Sequence, residues 1–219
     1  LIVYAPSNLQ ELVDFMQLAF HKADYYRNPV MVMGDGMIGQ MMEPVEIKKM
    51  DEDNLPEKDW ATTGTGGKRK PNIINSLYLA PDVLEDHNEH LERKYKTIEE
   101  NEQRYENHQL EDAEVVIVAY GTTARIAKTA IENLEKKGIK AGMIRPITLW
   151  PFPEVAFKEL DEKTKDLLVV EMSMGQMIDD VKIVNEGKRD VHFVGRSGGM
   201  IPTPQLIEDA VMKIVEGRK

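Results

Sequence analysis

Arg145, Glu171 and Arg196 are the side chains whose placement suggests chemistry. Each follows an apolar run, at residues 141–144, 167–170 and 191–194, and a fourth run, 115–119, ends in Tyr120-Gly121. If these runs are parallel strands, all four exits stand at one carboxyl edge, where open α/β sheets take ligands or partners. Two arginines and a glutamate there could hold an anion or pair with one another. Gly198-Gly199, just beyond Arg196, would let a backbone come close. An ion network that only fixes loops accounts for the same residues equally well.

Three other patterns are weaker. Gly34-Asp35-Gly36-Met37-Ile38-Gly39 matches G-x-G-x-x-G after a strand. Pro44 interrupts any following helix and no further β-α-β unit follows, so a tight turn is the better reading than a dinucleotide site. Residues 64–68 resemble a phosphate loop, but the first required glycine falls on Thr62 and Arg69 follows Lys68; this is read as a loop. His87 and His90 are close enough on a helix to share a metal, yet no third ligand lies in register, which favours a solvated face. The residues alone assign no catalytic residue and no metal site.

The elements that must carry the edge begin at 113. The run 115–119 reads as a strand buried on both faces, and Thr122 or Thr123 is placed to cap the next helix. Ile126, Ala127, Ala130, Ile131 and Leu134 line one helical face, and Gly138 provides a left-handed stop. The rhythm repeats: a short helix from Pro153, a helix bearing Met177, Ile178, Val181 and Val184, and a last helix capped by Thr203-Pro204. The alternation predicts an α/β domain with a doubly wound, mainly parallel sheet. Upstream, residues 1–4, a helix from Ser7 to about Tyr26 and a strand at 30–33 make one more β-α-β unit, with a capping box of Ser7 and Gln10. Fifty residues with two parallel strands cannot bury their own sheet, so they read as the tail of a larger α/β domain. Between the two, residues 50–81 read as polar linker. Residues 82–110 read as one acidic helix with Leu84, Leu91, Ile98 and Tyr105 as its single apolar stripe, lying on a neighbouring domain or subunit.

Composition narrows the classes. The chain has 219 residues, a formal charge of −10 and no cysteine. The charge disfavours nucleic acid, and the absence of thiols excludes disulfides and any iron–sulfur cluster ligated by cysteines of this chain. No apolar run is long enough for a membrane span, and the cytoplasm is the expected compartment. Leu1 already lies in an apolar run, so the chain reads as a fragment lacking its N-terminal part.

Several stretches resemble one family. Residues 145–153, RPITLWPFP, resemble its "RPitlwPFP" segment; Glu171 to Gln176 resembles its "E-x-x-x-GQ" turn, and Gly195 to Gly199 its "GR-x-GG" loop. Residues 35–40 resemble the segment closing the preceding domain. The family is the alpha subunit of 2-oxoacid:ferredoxin oxidoreductases, nearest the 2-ketoisovalerate (VorB-type) members. The resemblance implies oxidative decarboxylation of a 2-oxo acid on thiamine diphosphate with magnesium, acyl transfer to coenzyme A, and electrons passed through iron–sulfur clusters to ferredoxin. It implies a pyrophosphate-binding beta subunit, gamma and ferredoxin-like delta subunits, and a multimeric assembly.

On this reading residues 1–50 end a pyrimidine-binding domain, 51–112 are linker and long helix, and 113–219 resemble the transketolase C-terminal domain, which organises subunit contacts. The glutamate that activates the aminopyrimidine lies in a part of the family's chain not contained here. This chain alone would be inactive and hold no cofactor. Gly121, Arg145, Glu171, Gln176, Arg196, Gly198 and Gly199 remain as an interface or ligand edge. The rival readings are a beta subunit of a lipoamide-linked 2-oxoacid dehydrogenase and a non-catalytic scaffold or dimerisation module.

Overall fold

The computed structural model describes residues 1–48 and 55–217, and in it the strands form two sheets. The acidic run Asp51-Glu52-Asp53-Asn54, read above as linker, lies outside those residues. Strand β1 (Ile2–Tyr4) leads into helix α1 (Leu9–Tyr26), and β2 (Val30–Val32) returns parallel to β1 with Ile2 opposite Val30. The expected β-α-β unit is therefore present, but its cap is displaced by one residue. Asn8, not Ser7, is the N-cap, its side chain accepting from the Glu11 amide at 2.8 Å. Glu11, not Gln10, reaches back, accepting from the Ser7 amide at 2.7 Å and the Ser7 hydroxyl at 3.0 Å. Asparagine caps as well as serine, and a carboxylate is the stronger acceptor for orphan amides.

The acidic helix is shorter than its heptad spacing suggests. α2 (Pro81–Asn101) ends before Glu102, and residues Tyr105–His108 form strand β3 instead. Tyr105 is thus not part of the helical stripe: it lies on a sheet edge, where backbone pairing outweighs the seven-residue spacing. Ile98 of α2 is fully buried with Ile2 and Tyr4, while Tyr95 meets Trp150 edge-on at 5.8 Å. The helix thus lies on the first sheet of its own chain. Leu84, near its start, stays 40% exposed.

The second sheet is built from β4 (Val115–Val118), α3 (Gly121–Lys136), β5 (Ala141–Pro146), α4 (Glu154–Lys158), β7 (Asp166–Glu171), α5 (Met177–Asn185), β8 (Asp190–Gly195) and α6 (Pro204–Gly217), with β6 (Thr148–Trp150) leaving it after β5. The order is β3-β5-β4-β7-β8; β5, β4, β7 and β8 run parallel and β3 pairs antiparallel on the edge. Alternate residues feed two cores. Val115, Ile117, Met143 and Leu168 meet Ala127, Ile131, Ile207 and Val211 of α3 and α6. Val116, Val118, Ile144 and Val169 meet Phe157, Met177 and Val181 on the other side. A sheet covered on both faces needs continuous apolar strands, which is the pattern the runs display. β6 joins the first sheet, antiparallel to β1, so the run 145–150 ties the two sheets together. Among the described residues no helix is long and apolar enough to cross a membrane.

Gly142, inside β5, shows how closely the edge chain is laid on. A Cβ there would stand 2.6 Å from the Gln109 carbonyl oxygen, which is backbone and cannot swing away. Gly142→Ala is expected to cost about 2 kcal/mol through this overpacking, read as a lowered midpoint in urea unfolding.

Candidate functional site at the carboxyl edge of the second sheet

The parallel strands do bring Gly121, Arg145, Glu171 and Arg196 to one edge, with Glu171 opposite Gly195 in register. They do not form one anion site there. The edge divides into a half closed by the chain's own first residues and a half left open.

Arg145 belongs to the closed half and is only 3% exposed. Its Nη1 and Nη2 donate to the Glu11 carboxylate at 2.9 and 2.7 Å, a bidentate pair spanning from β5 to α1. Its Nε donates to Glu106 on β3 at 2.8 Å, and Lys128 on α3 reaches the same carboxylate at 2.6 Å. Burial pushes the Glu11 carboxyl up, but the hydrogen bonds from Arg145 and Ser7 outweigh it and hold it below the usual carboxylate range. Glu106 is lowered in the same way, with Lys128 and Arg145 overcoming its desolvation.

The start of α3 is capped from a distance. Neither Thr122 nor Thr123, the two candidates for the cap, caps the helix with its own side chain; instead, the Thr122 amide and hydroxyl each donate to Asp35 at 2.9 Å, and Met37 and Ile38 donate their amides to the same carboxylate at 3.0 Å. Thr123 turns its hydroxyl back to the Tyr120 carbonyl. A carboxylate satisfies orphan amides and suits the positive end of the helix better than a hydroxyl does. Gly121 makes this possible: its φ is +58°, and a Cβ would stand 3.0 Å from Asp35 Oδ2. Arg125 adds an ion pair to Glu43 at 3.0 Å. The segment carrying G-x-G-x-x-G is therefore a clasp, leading only into a single 3-10 turn, Ile38–Gln40.

Glu171 is 1% exposed and spent on its own loop. It accepts from the amides of Gln176, Met177 and Ile178 at 3.0–3.1 Å and from the Ser173 hydroxyl at 2.8 Å, capping α5. The Gln176 side chain is exposed. Arg196 is different: its amide bonds the Glu171 carbonyl, but its half-buried guanidinium has no hydrogen-bond or ion-pair partner among the described residues. Gly198 and Gly199, at φ +66° and +86°, have open space where a Cβ would stand. Beside them lies a cleft of about 380 Å³ lined by Met37, Gln40, Met172, Ser197, Gly199 and Met200. Met174, at 83% exposure, stands out from the preceding turn.

Glu11, Glu106 and Asp35 were missed as partners of the edge. Glu11 carried a signal, since it stands three residues after Asn8, the spacing of a capping box. His87 stacks on Tyr78 at 4.4 Å, and among the described residues no group of three or more histidine, aspartate or glutamate side chains is placed to hold a metal ion.

In the first half Glu11 and Asp35 are bonded through both oxygens. Glu102 is 1% exposed, and its Oε1 accepts from Lys22 at 2.5 Å and the Tyr26 hydroxyl at 2.8 Å; its Oε2 is buried without a hydrogen-bond partner among the described residues, with Arg104 Nη2 3.8 Å away. Burial, together with that hydrogen bond, raises the Tyr26 hydroxyl well above its ordinary value. Tyr4, beside Glu102 and Arg104, is pushed up to about 12, chiefly by burial.

Residues 1–107 match the model described as pyruvate flavodoxin/ferredoxin oxidoreductase, thiamine diphosphate-binding, and residues 113–207 match pyruvate:ferredoxin oxidoreductase core domain II. The chain is 45% identical over 98% of its length to ketoisovalerate oxidoreductase subunit VorB of Methanothermobacter marburgensis, covering 60% of that protein. It is 34% identical over 96% of its length to 2-oxoglutarate synthase subunit KorA of Methanocaldococcus jannaschii, covering 63% of it. The chain thus spans about three fifths of the length of these curated relatives. A solved 2-oxoglutarate:ferredoxin oxidoreductase from Magnetococcus marinus superposes with a TM-score of 0.75 over 97% of this chain and 42% of that one; at 19% identity this establishes a shared α/β fold. With the two models together taking in almost every residue, the chain belongs to the pyruvate flavodoxin/ferredoxin oxidoreductase family.

Proposed function

We propose that this chain is part of the alpha subunit of a thiamine-diphosphate-dependent 2-oxoacid:ferredoxin oxidoreductase. The reaction is decarboxylation of a 2-oxo acid, transfer of the acyl group to coenzyme A and delivery of two electrons to ferredoxin. The observation that carries this reading is the 45% identity to a ketoisovalerate oxidoreductase subunit, against 34% to a 2-oxoglutarate synthase subunit. That difference favours a branched-chain 2-oxo acid.

The residues present do not by themselves make a thiamine site. Activation of the aminopyrimidine needs a carboxylate free to face it; Glu11 and Asp35 are bonded within the chain through both oxygens, and Glu102 Oε2, which accepts no hydrogen bond among the described residues, is buried with Arg104 Nη2 3.8 Å away. No step is therefore assigned to a residue here. We place thiamine diphosphate and magnesium between the remainder of the alpha subunit and a beta subunit, and iron–sulfur clusters on ferredoxin-like delta or other partners, since this chain offers no thiolate. Residues 1–50 are read as the end of the pyrimidine-binding domain, 51–112 as connector and 113–219 as a doubly wound domain of the transketolase C-terminal type. The contribution of Gly121 and Arg145 is to hold that domain against the first. Glu171 and Gln176 shape the turn that presents Met174, and Arg196, Gly198 and Gly199 offer the open half of the edge to the beta or gamma subunit.

The test is to express the full-length subunit with its genomic neighbours and measure coenzyme-A-dependent viologen reduction. Turnover with branched 2-oxo acids, at least about tenfold better in kcat/KM than with 2-oxoglutarate, is the expected result. A cofactor-loaded complex that stays silent across 2-oxo acids would overturn the reading and leave a scaffold.

A further inference from the structure

Between Trp60 and α2 the chain crosses the surface in a way that the joint between the two sheets does not explain. Residues 71–79 run without helix, turn or bend. Side-chain contacts fix this stretch. The Asn72 side-chain amide donates to the carbonyls of Asp59 and Ala61 at 2.7 and 3.0 Å, the Leu77 backbone amide donates to Asn75 Oδ1 at 2.5 Å, and Tyr78 stacks on His87. Ile73 and Leu79 are each 85% exposed, and Ile74 and Leu77 are exposed as well. Among the described residues, no backbone group of residues 72–79 bonds another backbone group. An open, apolar, β-prone segment whose backbone, apart from the Leu77 amide held by Asn75, has no partner among the described residues is a template for strand pairing.

Its flanks say which strand. Lys68 and Lys70, just before it, are exposed and have no carboxylate partner among the described residues. Asp82, Glu85 and Asp86, just after it in the first turns of α2, are exposed and have no cationic partner there. With a formal charge of −10, two copies repel unless opposite charges meet locally. A parallel pair of these segments would set lysine against lysine. An antiparallel pair sets the basic end of each against the acidic end of the other, twice, about a two-fold axis.

We propose that residues 72–79 are a pairing arm whose occupant is the same arm of a second copy of this chain, held antiparallel with Lys68 and Lys70 of each copy against Asp82, Glu85 and Asp86 of the other. The arm then gains the backbone partners it lacks, and Ile73, Ile74, Leu77 and Leu79 leave water.

Sedimentation of the full-length subunit over a concentration series tests this. The wild type should dimerise at low ionic strength and loosen in high salt. K68E/K70E and D82K/E85K should each weaken the dimer by about thirtyfold, and the four substitutions together should restore it to within about threefold. I74S/L77S should also give monomer, with an unchanged thermal midpoint because both side chains are exposed in the monomer. A wild type monomeric at every concentration overturns the proposal. So does a dimer indifferent to the charge reversals, or a loss that the combined reversal does not repair. In the complex co-expressed with its partner subunits, arm variants that keep self-association but release another subunit would also overturn it, in favour of a heterologous partner.

Discussion

Replacing Glu11 with alanine should destabilise the folded chain by about 3 kcal/mol, lowering its thermal midpoint by roughly 6–12 °C. Arg145 is 3% exposed and gives two of its donors to this one carboxylate, at 2.7 and 2.9 Å. Without Glu11 the guanidinium stays buried with Glu106 alone, and Ser7 loses the acceptor for its amide and hydroxyl. The cost is that of a stranded charge rather than of a surface ion pair. Glu11→Leu with Arg145→Met should therefore recover much of the loss, because removing both charges leaves nothing to desolvate. A double-mutant cycle followed by urea unfolding measures the coupling, expected at about 2 kcal/mol. A value near zero would mean that the pair does not hold the two sheets together.

The pH dependence has a fixed sign. Glu11 and Glu106 are buried enough to be pushed up, yet hydrogen bonds from Arg145, Ser7 and Lys128 leave both below the ordinary range. A carboxylate lowered in the folded state contributes stability above its unfolded pKa, near about 4.3, and loses it as pH falls through the folded value. The wild type should therefore lose stability below about pH 4, and Glu11→Ala should flatten that limb.

What could be read from the sequence was what is local in it. The run 115–119, the stripe from Ala127 to Leu134 and the stop at Gly138 give β4, α3 and β5 because strand burial and helix periodicity act over a few residues. The same holds for β7, α5 and β8. Contacts between distant residues left no such trace. Arg145 finds Glu11 134 positions away, and Thr122 finds Asp35 87 positions away. The strand Thr148–Trp150 was hidden in a motif legible only as a resemblance, since its partner β1 belongs to the other sheet. The end of α2 was misplaced because Tyr-Glu-Asn-His, the sequence of β3, has none of the alternation that marks a half-buried strand; β5 dictates it through backbone pairing. The edge itself was legible. That its residues divide between a clasp, a cap and an open cleft depends on where the first half folds over it.

Glu171 decides between two meanings of that edge. As a cap, it satisfies three amides and one hydroxyl at the start of α5 and is almost wholly buried. Glu171→Ala should then cost about 3 kcal/mol, since Met177, itself buried, would keep an unpaired amide behind it. Glu171→Gln keeps one acceptor oxygen and should cost about 1 kcal/mol. Hydrogen exchange locates the effect: amides of α5 should open faster in the alanine variant while those of α3, capped independently by Asp35, keep their protection. If Glu171 instead served a ligand at the edge, the glutamine variant would abolish turnover of the assembled complex while leaving α5 protected. The cap reading requires the reverse order of effects. Activity should follow the stability of α5, falling with alanine and largely surviving with glutamine, because the carboxylate acts on the turn that carries Met174 and not on substrate.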